Sequence, residues 1–120
     1  MSSILVNDMV NEKSTALINL FTEPRVFLNI LTQYKYILTQ DAINYPLNEN
    51  YKFRPDRLAY ELWGQDLWYP AILAVNNIGS IMQFNPDQMG QNCIIPTDEN
   101  LVRVLRIVTA KTNNIKLSNA

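Results

Sequence analysis

The sequence predicts an α+β fold, a small strand–helix–helix–strand unit set between two apolar arms. Three observations predict it. Leu58, Ala59, Leu62 and Trp63 recur at helical spacing between Pro55 and Gly64, a proline that suits a helix start and a glycine that suits a left-handed stop. Trp68, Ala71, Ile72 and Val75 repeat that spacing just beyond the glycine. Short runs at Tyr51–Phe53 and Gln91–Ile95 bracket the two helices and have the alternation and composition of strands. Apolar residues make up 48% of the 120, with two Trp, six Tyr and four Phe, so one core can be buried and wholesale disorder is excluded.

Taken in order, residues 1–24 hold two apolar clusters, Ile4–Val6 and Leu17–Phe21. Each fits a short helix and a short strand equally well. Residues 25–39 are rich in β-branched and aromatic types, and Tyr34, Tyr36 and Leu38 alternate with Lys35 and Ile37, which favours a strand. Asn44–Asn50 reads as a linker, broken by Pro46. Asp56 falls in the first turn of the helix opened by Pro55, where the helix dipole favours negative charge. Asp66 is placed to cap the second helix, 67–75, with Pro70 near its first turn. Leu67, Leu73 and Ala74 make the other faces of that helix apolar too, so it is expected to be buried on more than one side. Asn85-Pro86 and the stretch Asp87–Gly90 mark a loop and a turn, and Pro96 ends the second strand. In residues 97–120 Leu101, Leu105 and Val108 fit a helical stripe capped by Thr97 or Asp98, while Val102, Val104 and Val108 fit a strand. The β-branched content favours an extended segment.

Composition narrows the function. Ten basic against 11 acidic residues leave a net charge of −1, which offers no electrostatic handle to a nucleic acid or an anionic membrane. No stretch approaches the length of a membrane-spanning helix. The N-terminus lacks the basic and apolar regions of a signal peptide, and a single cysteine, Cys93, suits a reducing cytoplasm. The chain has no histidine, and no Ser or Cys is set beside a base, so neither catalysis, a metal nor a cofactor is expected. Cys93 reads as a small buried hydrophobe and not as a nucleophile.

The large side chains divide between core and surface. Leu58, Leu62, Trp63, Trp68, Ile72, Val75 and Ile94 are expected to build the core, because large aromatics in a unit this small are needed for packing more than for stacking on a ligand. Tyr34, Tyr36, Arg54, Asp56 and Tyr69 are the candidates for contact with a protein partner. Tyr69 is offset from the core face, and Arg54 and Asp56 are close enough to pair and order the turn into the first helix.

The stretch Phe53–Asn76 carries a further signal. It combines Arg54-Pro55-Asp56, a Leu58-Ala59 helix, the stop Trp63-Gly64, the pair Leu67-Trp68 and an apolar helix ending at Asn76. This pattern resembles the baseplate wedge subunits of T-even-type phages and their LysM-like relatives in other contractile tails. Downstream, Met89-Gly90 followed by Ile94-Ile95-Pro96 is similar to the end of a LysM repeat. The Asp-Thr-Leu opening of secreted LysM repeats is absent. The resemblance implies a LysM-like module over residues 49–97, an N-terminal assembly arm over 1–48 and a C-terminal arm over 98–120, both extended or partly stranded. It implies a non-enzymatic virion protein of the tail baseplate, assembled in the host cytoplasm, that clamps neighbouring baseplate and tail proteins and uses no small-molecule substrate. The alternative it leaves open is a peptidoglycan-binding LysM module with a sugar groove beside the first helix.

Overall fold

A proline at the first helical position opens the described part of the chain. The computed structural model describes residues 23–89 and 92–118, with side chains as far as residue 110, so the clusters Ile4–Val6 and Leu17–Phe21 and the glycine at 90 lie outside it. Helix α1 runs Pro24–Gln33 and buries Phe27 and Leu31, one turn apart. A kink at Tyr34, whose N–H donates to Leu31 O at 3.0 Å, leads into the single-turn helix α2, Lys35–Leu38. The strand expected over 25–39 is thus two helices. Phe27, Leu31, Tyr34 and Leu38 repeat at helical spacing, and burial of that stripe outweighs the modest β preference of the residues between.

Strand β1 is Ile43–Pro46, inside the stretch read as a linker. The expected strand at Tyr51–Phe53 is replaced by a 3-10 turn, Glu49–Tyr51, capped where the Asn50 N–H donates to Asn48 Oδ1 at 2.9 Å. Phe53 follows with a left-handed φ of 58°, and its N–H donates to Phe84 O at 2.8 Å. That bond between two loops holds a backbone conformation that most side chains avoid.

Helix α3, Pro55–Trp63, ends at Gly64 with φ 77°, and the Gly64 N–H returns to Tyr60 O at 2.7 Å. Here the local signals and the structure coincide. Asp66 lies inside a 3-10 turn, Asp66–Trp68, and does not cap the next helix. Helix α4 begins later than expected, at Tyr69, and runs to Val75 without a capping side chain. The turn expected after Pro86 is the one-turn helix α5, Pro86–Met89, started by an Asp87 N–H bond to Asn85 Oδ1 at 3.0 Å.

Strand β2, Asn92–Ile95, pairs antiparallel with β1, with Ile43 opposite Ile95, Asn44 opposite Ile94 and Tyr45 opposite Cys93. Helix α6 then spans Asp98–Ser118, 21 residues where an extended arm was expected. Thr97 caps it, its Oγ1 accepting from the Asn100 N–H at 3.2 Å. Leu101, Val104, Leu105 and Val108 form its buried stripe. The valines that suggested a strand are helical because that stripe seals one side of the core.

The described residues therefore form six α-helices and a two-stranded antiparallel sheet, an α+β fold in which the two strands enclose α3, α4 and the one-turn α5. The flanks on either side of that unit are helical and supply core residues. Helix α4 is the hub: Pro70–Val75 are all buried, and α1, α3 and β2 pack around it. Phe27 meets Trp68 with ring centroids 5.7 Å apart. Of the core residues expected from sequence, Leu58, Trp63, Trp68, Ile72 and Val75 are buried, while Leu62 and Ile94 are half-buried at its margin.

Candidate functional site

The entrance to α3 is ordered by charge. Arg54 Nε donates to Asp56 Oδ1 at 3.2 Å and Nη2 to Oδ2 at 3.2 Å, a two-pronged bond two residues apart. The bond to Asp56 and its negative charge hold the guanidinium proton more firmly than usual. Both residues line a shallow depression beside α3, together with Arg57, Tyr60 and Asp66. Tyr60, 62% exposed, is the aromatic available there.

The other candidate contact residues lie elsewhere. Tyr69 is half-buried and lines a separate groove with Arg25, Leu28 and Ile81. Burial, and then the charge of Asp56, push its hydroxyl above the ordinary range. Tyr36 points to solvent from α2 and is 65% exposed, with Tyr34 half-buried beside it. The five residues do not converge on one site. They mark three surfaces.

The exit from α4 is a clamp. The Asn76 side chain donates to Ile94 O at 2.9 Å and accepts from the Ile94 N–H at 2.8 Å, and it also donates to Ile72 O at 2.7 Å. One amide thus takes the place of a third strand along β2. Because Ile94 turns both backbone groups to Asn76, the pair Asn44–Ile94 is the non-hydrogen-bonded kind, and Asn44 turns its own groups outward from β1. The same parity puts Pro46 where an N–H would leave the sheet, so the proline costs the ladder nothing.

Cross-ties fix the remaining loops. The Trp63 indole N–H donates to Asp98 Oδ1 at 3.1 Å, joining α3 to the start of α6. Asn100 Nδ2 donates to Gln40 O at 2.8 Å and pins the turn before β1. Tyr51 donates its hydroxyl hydrogen to Glu61 Oε2. That bond, then burial, then Tyr45 beside it, raises the phenol above its ordinary range. Lys52 pairs with Asp87 at 3.5 Å across the two loops already joined by Phe53 and Phe84.

The Cys93 thiol is buried, and burial lifts it from 9.0 to about 12, with the Asn76 hydrogen bond pulling weakly the other way. At neutral pH it is protonated and a poor nucleophile. Among the described residues no three His, Cys, Asp or Glu side chains gather into a possible metal site, and no helix is long and apolar enough to cross a membrane.

Two features were not legible in the sequence, the Asn76 clamp and a groove beside Ile43. At the end of the sheet lies a groove of about 520 Å³ lined by Ile43, Leu62 and Ile95 together with Asp41, Asp98 and Glu99. Its signal in the sequence was weak, because the linker reading hid the strand that carries Ile43. Comparison with protein-family models, with curated proteins and with solved structures finds no match to this chain.

Proposed function

We propose that the chain is a non-enzymatic structural subunit of a contractile-tail baseplate, a LysM-like module that holds neighbouring tail proteins by protein–protein contact and resides in the virion. The observation that supports it most is the helix pair α3–α4 flanked by two paired strands, with the one-turn helix α5 leading into β2, Arg54–Asp56 at the entrance of the pair and Asn76 at its exit. The residues that carry the resemblance are the ones that organise this unit. The exposed Tyr36 and Tyr60, the half-buried Tyr69 and the open groove beside Ile43 give it several faces for neighbours. Co-expression of the full chain with candidate baseplate proteins tests the reading. A stable co-purifying complex is expected, and a chain that stays monomeric in the presence of every tail protein contradicts it.

The alternative, a peptidoglycan-binding LysM module, would use the depression beside α3, where Tyr60 stands exposed among charged side chains. Trp63 and Trp68 are buried and cannot serve as sugar-stacking platforms. Sedimentation with chitin or purified cell walls separates the two readings. The chain is expected to stay in the supernatant, and co-sedimentation that is lost in Tyr60→Ala would favour the alternative.

A further inference from the structure

Among the described residues the core is open at the end of the sheet that carries Ile43. Ile43 and Ile95 are register partners, so their side chains stand on the same face of the sheet. Ile95 is 4% exposed and Ile43 is 59% exposed. A side chain on the core-facing side of a sheet is left bare here because no element of the described chain covers it. Leu62, half-buried on α3, continues the same apolar floor.

Charge at the rim is one-sided. Asp41, Asp98 and Glu99 border the groove, and no Lys or Arg lines it. The ion pairs of the described residues, Lys52–Asp87, Arg54–Asp56 and Arg57–Glu61, involve none of the three. Placement in the first turn of α6 accounts for Asp98, which Trp63 also holds, and suits Glu99. It does not account for Asp41, which sits in the turn before β1 with a left-handed φ of 56°. The rim is also held in place: Asn100 fixes the turn at Gln40, and Trp63 fixes Asp98. A partner therefore meets a surface already in its binding shape, which lowers the ordering cost of association.

We propose that this groove docks a partner segment that seats one apolar side chain on Ile43 and Leu62 and sets Lys or Arg residues beside Asp41 and Glu99. The proposal rests on the reading of the chain as a contact-forming subunit and adds the chemistry of the partner. The apolar floor supplies a pocket for an anchor, and the carboxylates select its flanks and steer its approach.

The probe is a capped pentapeptide, Arg-Lys-Leu-Lys-Arg, titrated into the full chain and followed by NMR. Shifts are expected at the Ile43, Leu62 and Ile95 methyls and at the Trp63 indole, and they should weaken as salt is added. Replacing the peptide's Leu by Ser, or its basic residues by acidic ones, should abolish them. Asp41→Asn and Glu99→Gln should each weaken binding about threefold, and Ile43→Ser should remove it while the melting temperature is kept. Equal binding of the serine peptide, or equally strong shifts around Asp87 and Asp66, would overturn the proposal. The two readings fail separately. If Asp41→Asn/Glu99→Gln still co-purifies with tail proteins at parental strength, the groove assignment falls and the baseplate reading stands. If the peptide binds in the groove but no tail protein does, the reverse holds.

Discussion

The two edges of the sheet are treated in opposite ways. The outer edge of β2 is shut by a single amide, since Asn76 takes both backbone groups of Ile94 and Cys93 and Ile95 lie buried beneath. The outer edge of β1 faces solvent, with Asn44 turned outward, Pro46 withholding a donor and Ile43 bare. An unguarded edge invites uncontrolled strand pairing, and a proline near its end is one way to blunt it. A two-stranded sheet can thus treat its two edges differently. One edge is committed to the core and the other is exposed among the described residues.

The largest effect is expected at Trp63, whose indole spans from the closed interior to Asp98 at the open end. Trp63→Ala should cost about 3–5 kcal/mol, which approaches the whole stability of a domain this small. Chemical denaturation measures it, and a parental midpoint would show that Trp63 is not a core residue. Next comes the clamp. Asn76→Leu strands the N–H and C=O of Ile94 and should cost about 2–4 kcal/mol. Asn76→Asp, which keeps the acceptor but sets a carboxylate oxygen against the carbonyls of Ile72 and Ile94, should cost at least as much. If Asn76→Leu melts like the parent, β2 does not depend on the amide and its edge is not closed in the way described.

Gly64→Val tests the turn that sets α3 and α4 at an angle. Its φ of 77° strains any residue with a Cβ, and a loss on the order of 1–2 kcal/mol is expected, read from the shift in thermal midpoint. The smallest effect belongs to the open edge. Ile43→Ser should change stability by less than about 0.5 kcal/mol, because the side chain it replaces is mostly in water. A loss near that of Trp63→Ala would mean that the groove is covered in solution.

What the sequence made legible was the part governed by local signals. Pro55, Gly64 and the paired apolar stripes of α3 and α4 state a start, a stop and a buried face within a few residues. The flanks were misread because their structure is decided at a distance. Phe27 and Leu31 make a helix because Trp68 and α4 lie against them, and the valines of α6 do so because the core needs a wall there. β1 was hidden for a related reason. Its pairing with β2 lies about 50 residues away in sequence, and Pro46, a breaker by local rules, occupies the one parity at which a strand tolerates it. The candidate contact residues were named from aromaticity and charge. That approach found the Arg54–Asp56 pair and the exposed Tyr36. It missed Asn76, whose work is visible only when β2 is beside it, and the groove at Ile43.

We propose that this chain acts by contact through its open side while its closed side maintains the fold. Amide hydrogen exchange on the full-length chain, alone and then assembled with its baseplate neighbours, tests it most directly. α4, β2 and the Ile43 and Tyr45 amides that pair with β2 are expected to be protected in both states, while Asn44, whose N–H turns outward, and the first turn of α6 gain protection only on assembly. Unchanged exchange at Asn44 and α6 in a complex that has formed would contradict it.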